Sequence, residues 1–427
     1  MHFLYLLFPF LALVGIAYAK PSSVERYAGT QVVRVPTGNS TQSTSINSII
    51  SRFGLVTWAS ASVTRQFVDI VVPPTLSKRF SAELSRLDIP VTIMHADLGE
   101  SILKESKSHT LKGVRERAFD GDWFSAYHPF SDHMRYIDEL AAAFPKNARI
   151  FTIGISAEDR PLTGINIFGS EGPDTKPAVV FFGGIHGRDW ISTMVPEYLS
   201  ERLLNDRTYL EEFDFYIVPI VNPDGFEYSR TTDRMWRKGR SRDMNELCSG
   251  RDLDRNFPFK WEDSIGASTQ HCSDTFKGLA AADTPEVKAM VDFLTSKGLS
   301  SVGAPLFINF QSYGNEFLSP YAWTESSVPY NNDQILSMAR GYAAAIRPRF
   351  DTKVVEGTFS SILYPAGGTA VDFAFEVAKI PYSYVHVLRD TGRYGYILPA
   401  DQIVPTGLET YDGVRYLLDT LSTTMQK

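Results

Sequence analysis

The first candidate for chemistry is a histidine and a carboxylate that lie three residues apart. The apolar run Ala178–Phe182 predicts a buried strand, and it leads into GGIHGRD at 183–189, which holds His186 and Asp189. At the carboxyl end of a strand, side chains with this spacing can face one point, and imidazole and carboxylate are both zinc ligands. His186 and Asp189 could therefore supply half of the ligands of a zinc site. Alone it is weak evidence, because a helix cap and a buried histidine account for it more simply.

Further motifs downstream change that balance. They are VNPDGF at 221–226, DRMWRK at 233–238, DLDRN at 252–256, QSY at 311–313, LYPAGG at 363–368 and LRDTGRYG at 388–395. In this order and spacing they resemble the zinc metallocarboxypeptidases of the carboxypeptidase A/B family, over roughly residues 120–425. The segment before them resembles the inhibitory pro-domain of that family.

The resemblance implies a fold and a mechanism. The fold is α/β: a mixed eight-stranded sheet flanked by helices, preceded by a ferredoxin-like αβ pro-domain. In the mechanism, one zinc ion held by His, Glu and His polarises the scissile carbonyl and a water molecule. A Glu is the general base for that water, and an Arg stabilises the oxyanion. An Asn-Arg pair and a Tyr hold the terminal carboxylate of the substrate.

The reactive positions depart from this pattern. His186 matches the first zinc ligand, but Asp189 stands where the family has Glu, so its reach is about 1.5 Å shorter. Gln311 replaces the second His ligand, although zinc prefers imidazole or thiolate to an amide oxygen. Val387 replaces the catalytic Glu and cannot transfer a proton. Asp254 replaces the Asn of the Asn-Arg pair and brings a negative charge to a pocket meant for a carboxylate.

Other positions retain the pattern. Arg237 matches the oxyanion Arg, and Arg234 matches its companion upstream. Arg255 matches the Arg that binds the terminal carboxylate, and Tyr364 matches the Tyr that closes over it. Val371 falls at the floor of the specificity pocket, where it suits hydrophobic C-terminal side chains. The alternative is that these residues now serve only the stability of the fold.

These departures predict a protein that does not hydrolyse peptides. Losing a general base costs about 10²–10⁴-fold in rate, and a weakened metal site costs more. His386 does not replace the base, because neighbours on a strand point to opposite faces. We expect a pseudo-peptidase that binds peptide C-termini, similar to a secreted fungal branch of the family that is linked to cell-wall organisation. The alternatives are an active zinc carboxypeptidase that releases hydrophobic residues and a structural protein with a vestigial pocket.

The amino terminus predicts export. Residues 3–16 form one apolar run that leads into Ala17-Tyr18-Ala19, so we interpret 1–19 as a signal peptide rather than a membrane anchor. We expect a secreted protein, with the vacuole and the cell wall as alternative destinations. In an oxidising compartment Cys248 and Cys272 can pair, and they fall where the family has its disulfide; two free thiols are the alternative. Asn39 begins the only glycosylation sequon.

The elements that position these residues fall into two units. Residues 20–110 alternate as β-α-β-β-α-β, which predicts the ferredoxin-like pro-domain, and 118–427 alternate strands and helices. Between them, 111–117 form a basic linker that is either a processing site or a solvated connection. Residues 20–117 carry a net charge of +5 and 118–427 a net charge of −12, so the two units should attract each other.

Composition excludes several other classes. The chain has 427 residues with 43% hydrophobic and 21% charged, which argues against disorder and collagen-like structure. Its net charge of −7 argues against non-specific binding of nucleic acid. After the signal no apolar run is long enough to span a membrane, and we expect a monomer that contacts its own pro-domain.

Overall fold

The computed structural model describes residues 22–59, 65–107, 123–242 and 248–425. The predicted signal peptide at 1–19 and the predicted linker at 111–117 lie outside these residues. Among the helices in the described ranges, none combines the length and apolar character needed to cross a membrane.

Residues 22–107 form the N-terminal unit. Its elements are α1 (Ser23–Arg26), β1 (Gln31–Pro36), α2 (Ser40–Phe53), β2 (Val56–Ala59), β3 (Phe67–Val72), α3 (Pro74–Arg86), β4 (Thr92–His95) and α4 (Leu98–Lys107). The strands pair in the order β2-β3-β1-β4, with β1 antiparallel to both of its neighbours. The β-α-β-β-α-β arrangement matches the predicted ferredoxin-like topology.

The two faces of this small sheet bury different partners. Because side chains alternate along a strand, Val33 of β1 packs against α2 and α3, at Ile46 and Phe80, while Val32 points the other way. Val32 and Trp58 belong to an apolar cluster that includes side chains of the rest of the chain. The N-terminal unit therefore uses one face for its own core and the other for docking.

Residues 123–425 form the C-terminal unit. Its elements are α5 (Phe130–Ala143), β5 (Ala148–Ile155), β6 (Pro161–Ile167), β7 (Ala178–Phe182), α6 (Ile191–Asp206), β8 (Asp214–Val218), α7 (Pro223–Thr231), α8 (Pro285–Gly298), β9 (Leu306–Gln311), β10 (Glu316–Ser319), α9 (Asn332–Phe350), β11 (Val355–Thr358), α10 (Phe359–Ile362), α11 (Ala370–Glu376), β12 (Tyr382–Val387) and α12 (Ile403–Met425).

The strands of this unit form one mixed sheet of eight. Their order is β11-β10-β12-β9-β7-β8-β6-β5, and the central strands β12, β9, β7 and β8 run parallel. The sheet buries both faces: Val179 and Phe181 of β7 join a core with α6 and α12, whereas Val180 and Phe182 join a core with α8 and α11. The predicted fold class, a mixed eight-stranded sheet flanked by helices, is confirmed.

Candidate functional site

The candidate site lies where three neighbouring parallel strands end. His186 follows β7, Gln311 is the last residue of β9 and Val387 is the last residue of β12. Gln311 and Val387 are directly paired in the register of β9 and β12. Because parallel strands end at the same edge of the sheet, the sequence-predicted metal and base positions come together there. We call His186, Asp189, Gln311 and Val387 the reaction centre.

His186 is buried between two carboxylates. Its Nε2 lies 3.1 Å from Oδ1 of Asp252, and its Nδ1 lies 3.5 Å from Oδ2 of Asp189. Arg237 donates to Oδ2 of Asp252 from both Nε and Nη2, at 3.1 and 2.9 Å. Burial would raise the pKa of Asp252, but the charges of Arg237 and His186 outweigh it and hold the pKa well below its usual range. Asp252 therefore orients both side chains as an anion, a role that the sequence analysis did not assign.

Asp189 is only partly satisfied. Its Oδ2 accepts the backbone N–H of Ser312 at 3.0 Å. Its Oδ1 is buried and has no hydrogen-bond partner among the described residues. This unpaired acceptor belongs to the carboxylate whose other oxygen lies 3.5 Å from the ring of His186, which is the position of the second metal ligand in the family pattern.

Gln311 is turned towards a carboxylate. Its Nε2 donates to Oδ2 of Asp254 at 2.8 Å, and Oδ1 of Asp254 accepts the backbone N–H of Ala370 at 2.9 Å. The two departures from the family pattern, Gln311 and Asp254, therefore bond to each other. Each supplies what the other needs, since the amide N–H₂ is a donor and the carboxylate accepts.

The donors at this site do not fit a catalytic zinc ion. Such sites have three protein ligands, drawn mainly from His, Glu, Asp and Cys. Here His186 and Asp189 are the two donors of that kind, and Gln311 offers only a neutral amide oxygen. Within the described ranges, no three His, Cys, Asp or Glu side chains gather closely enough to hold a metal ion.

Val387 occupies the predicted position of the general base with a hydrocarbon side chain. It is 5% exposed and packs in an apolar cluster with Val371 and Leu318. His386 points to the other face, as expected, where its Nδ1 lies 2.9 Å from the Tyr342 hydroxyl. Burial lowers the pKa of His386 to about 3, which keeps the ring neutral.

One carboxylate beside Val387 was missed by the sequence analysis. Glu316, the first residue of β10, is directly opposite Val387 in the antiparallel register, so both side chains leave the same face of the sheet. Both oxygens of Glu316 accept from Arg65 of the N-terminal unit, from Nε and Nη2, each at 2.7 Å. Glu316 is thus held in an ion pair with Arg65. A charged residue at the start of the otherwise apolar strand β10 was the available signal.

The residues predicted to bind a terminal carboxylate are already engaged. Arg255 donates from Nη2 to the Tyr364 hydroxyl at 3.0 Å and from Nη1 to the backbone oxygen of Asp254 at 2.7 Å. The Asp254 carboxylate lies 3.9 Å from the same Nη1. Arg237 is bound to Asp252, as described above. A ligand carboxylate would have to share both arginines with these partners.

The predicted pocket floor holds a second buried acid. Val371 and Asp372 lie in the first turn of α11, and both are almost fully buried. Burial raises the pKa of Asp372 to about 7, while the backbone N–H groups of Ala322 and Trp323 act in the opposite direction. The charge of Asp254 raises the pKa of Asp372 further. The carboxyl groups of Asp254 and Asp372 therefore lie close enough to influence each other at this edge of the site.

Arg234 lies outside the reaction centre, in the contact between the two units. Its Nε and Nη2 donate to Glu105 of α4 at 2.7 and 3.0 Å, and its guanidinium stacks on Trp190 with 3.6 Å to the ring centroid. The predicted pairing of Cys248 and Cys272 is confirmed, with 5.1 Å between their Cα atoms. Asn39 is exposed at the amino end of α2, where its side chain accepts the N–H of Gln42; whether it is glycosylated stays a prediction.

The N-terminal unit covers the site from one side. The ring of Trp58 packs edge-on against Tyr313 and Tyr396, with centroids 6.4 and 5.3 Å apart. Gly395, at φ 58°, lies under that ring, and a Cβ there would come within 2.9 Å of it. Trp58 of the N-terminal unit therefore packs against Tyr313, two residues after Gln311, and against Tyr396.

Comparisons with known proteins extend over both units. The zinc carboxypeptidase family model matches residues 133–413, and the carboxypeptidase activation peptide model matches residues 33–105. The chain is 38% identical over 413 residues to a metallocarboxypeptidase A-like protein of Trichophyton verrucosum, covering 94% of this chain and 96% of that protein. It is 37% identical over 400 residues to metallocarboxypeptidase A of Trichophyton tonsurans, covering 92% and 93%. Among solved structures, thrombin activatable fibrinolysis inhibitor matches with a TM-score of 0.81 at 27% identity, covering 91% of this chain and 98% of that chain.

Proposed function

Because the chain belongs to the zinc carboxypeptidase family, we propose that it is a secreted pseudo-peptidase, which keeps the fold of these enzymes and does not hydrolyse peptides. The observation that carries this proposal is Val387, a buried hydrocarbon side chain in the position from which water has to be deprotonated. The loss of a general base alone costs about 10²–10⁴-fold in rate. Glu316, the acid opposite Val387 in the strand register, is bound by Arg65.

The metal position supports the same proposal. Hydrolysis in this family depends on zinc, which would supply a polarised carbonyl and an activated water. Gln311 donates a hydrogen bond to Asp254. At position 189 the chain has an aspartate, which is shorter than the glutamate of the family pattern. With one imidazole and one carboxylate, the site lacks the third strong ligand of a catalytic zinc ion.

We test the loss of hydrolysis and of zinc together. The purified protein, intact and after cleavage within residues 111–117, is incubated with peptides that end in Phe or Leu, with and without a chelator. We expect no released amino acid and less than one zinc ion per chain by elemental analysis. Release that the chelator blocks would overturn the proposal in favour of the alternative, an active zinc carboxypeptidase for hydrophobic C-terminal residues.

A double variant sharpens the zinc measurement. Gln311→His together with Val387→Glu restores the missing ligand and the missing base, so we expect its zinc content to rise towards one ion per chain. The matched control, Gln334→His with Val355→Glu, adds the same groups at exposed positions and should leave the zinc content unchanged. Equal zinc in both variants would show that the reaction centre is not what limits metal binding.

As its remaining activity we propose that the site binds peptide or protein C-termini. Arg255 and Tyr364 still form a cradle, and Arg237 lies beside it. The Asp254 carboxylate, 3.9 Å from Arg255, opposes an anionic ligand, so affinity should be weak. Calorimetric titration with a free-acid peptide and its C-terminal amide should show preference for the acid, with binding lost in Arg255→Ala and raised about tenfold or more in Asp254→Asn. Absence of binding by any C-terminal peptide would leave a structural role with a vestigial pocket.

We further propose that the protein acts outside the cell, in cell-wall organisation. The signal-peptide pattern at 1–19 and the similarity of the sequence to a secreted fungal branch support this proposal. Amino-terminal sequencing of protein from culture medium and from the wall fraction should begin after Ala19. A cell-bound form that retains residues 1–19 would contradict it.

A further inference from the structure

The contact between the two units contains a buried ion pair beside the reaction centre. Arg65 and Glu316 form two hydrogen bonds of 2.7 Å, and their side chains are 15% and 3% exposed. Nη2 of Arg65 also donates to the backbone oxygen of Tyr313 at 3.1 Å. Bidentate pairs of this geometry are the strong members of their class.

A second buried pair lies at another part of the contact. Glu105 and Arg234 are joined by two hydrogen bonds, and their side chains are 3% and 2% exposed. Arg234 also donates to the backbone oxygens of Arg188 and Tyr396, both at hydrogen-bond distance within the C-terminal unit. The guanidinium is therefore fixed in place on its own unit and presented to Glu105.

A third buried charge completes the polar part of the contact. Asp69 of β3 is fully buried, and its Oδ2 accepts from the Tyr313 hydroxyl at 2.7 Å. Arg34 binds the same carboxylate with two hydrogen bonds of 2.7 Å and reaches across to the backbone oxygen of Thr391 at 2.6 Å. Each of these three acids has a partner on the opposite unit.

Apolar side chains fill the space between these pairs. Val32, Trp58 and Leu98 of the N-terminal unit form one buried cluster with Met235 and Tyr396 of the C-terminal unit. A buried apolar centre with fully paired charges is the anatomy of a stable protein interface. The net charges of the two segments, +5 and −12, add long-range attraction.

From these contacts we propose that the N-terminal unit is a permanent part of the folded protein, which stays bound to the C-terminal unit after the linker is cut. The covalent connection is not needed to hold an interface of this kind. In a protein without turnover, release of the unit would also expose no activity. The inference rests on the interface and holds whether or not the proposed loss of hydrolysis is correct.

The test cuts the linker and asks whether the two units separate. A recognition sequence for a site-specific protease replaces residues 111–117, and complete cleavage is verified on a denaturing gel. Gel filtration of the cut protein at micromolar concentration should give one peak that contains both fragments. Two separate peaks would overturn the proposal.

Substitutions then show whether the buried pair carries the binding. In Arg65→Ala, Glu316 stays buried without its bidentate partner, so the dissociation constant of the cut protein should rise at least about thirtyfold. Arg86→Ala removes the same charge from a side chain of the N-terminal unit that is 77% exposed, and it should leave the constant unchanged. Arg65→Ala with Glu316→Leu removes both charges and should recover much of the affinity.

Each result of these substitutions tests a different part of the proposal. If the cut Arg65→Ala and Arg86→Ala proteins have the same dissociation constant, the role assigned to the Arg65–Glu316 pair is wrong, even if the fragments co-elute. If the double variant is no better than Arg65→Ala, the unpaired carboxylate is not the cause of the loss. The gel-filtration experiment needs no substitution outside the linker, so a variant that fails to fold does not remove the test. Hydrolysis is measured separately by release of amino acid.

Discussion

The reaction centre and the interface between the two units differ in how their buried polar groups are satisfied. At the interface Asp69, Glu105 and Glu316 each accept hydrogen bonds from a side chain of the opposite unit at 2.7–3.0 Å. In the reaction centre one oxygen of Asp189 has no partner within the described residues, and Gln311 bonds to Asp254 instead of completing a metal site. The buried acids of the interface therefore have hydrogen-bond partners, whereas one buried acceptor of the reaction centre has none within the described residues.

This difference indicates that the fold does not depend on the residue types at the reaction centre. Val387 and Gln311 end strands whose other residues are buried on both faces of the sheet. The cores on the two faces are built from apolar side chains and include no ligand position. The residue types at the strand ends can therefore depart from the family pattern while the sheet, and the surface that receives the N-terminal unit, persist.

The largest effect that would test this contrast is the removal of Arg234. In Arg234→Ala, Glu105 loses two hydrogen bonds in a buried place, and the stacking on Trp190 is lost as well. We expect the free energy of unfolding to fall by about 3–5 kcal/mol. Urea denaturation followed by circular dichroism measures it.

Arg347→Ala is the matched control for that experiment. Arg347 is 62% exposed on α9 and forms an ion pair with Asp351 one turn away, so its loss should change stability by less than about 0.5 kcal/mol. A loss below about 1 kcal/mol for Arg234→Ala would mean that the interface is no better satisfied than the protein surface, and the contrast drawn above would fail.

A smaller and pH-dependent effect is expected on the other side of the comparison, at Asp372. The folded state holds the proton of this acid up to about pH 7, whereas the unfolded chain releases it near the ordinary pKa of 3.8. The proton therefore stabilises the fold fully below pH 3.8, and this contribution is lost as the pH rises through 7. Asp372→Asn cannot titrate, so the wild type should lose about 2–3 kcal/mol relative to the variant between pH 4.5 and 7.5.

The measurement compares urea unfolding of both proteins at several pH values. Other groups titrate in the same range, among them Glu286, whose pKa burial raises to about 7, so the difference between the two proteins is the informative quantity. Parallel stability curves would show that Asp372 is ionised in the fold. The pocket floor would then be a satisfied site like the interface.

The fold was predictable from local patterns, and the outlines of the reaction centre were predictable from the motifs. Continuous apolar runs such as Ala178–Phe182 predict central parallel strands, and alternation predicts the small sheet. The alternation did not give the ends of the elements: α2 begins at Ser40, because Asn39 caps it.

The interface was not predictable, for a physical reason. Its contacts join residues more than a hundred positions apart, such as Arg65 with Glu316 and Glu105 with Arg234. A single sequence shows that a charge is present, but it does not show which distant charge meets it. Arg234 was accordingly predicted to bind substrate, whereas its side chain is bound to Glu105. Opposite net charges predicted that the units attract, without naming the pairs.

The smallest expected effect tests whether the interface is uniform. Arg26 and Asp233 form an ion pair at 2.6 Å, but Arg26 is 36% exposed, and Asp233 keeps hydrogen bonds from the Tyr27 hydroxyl and the N–H of Met235. Arg26→Ala should therefore cost about 0.5 kcal/mol of unfolding free energy, measured in urea beside Arg86→Ala. A loss above about 2 kcal/mol would mean that the Arg26–Asp233 pair stabilises the protein as much as the buried pairs do, although it lies at the edge of the interface. A small loss would locate the binding energy at Arg65 and Arg234, whose ion pairs are buried.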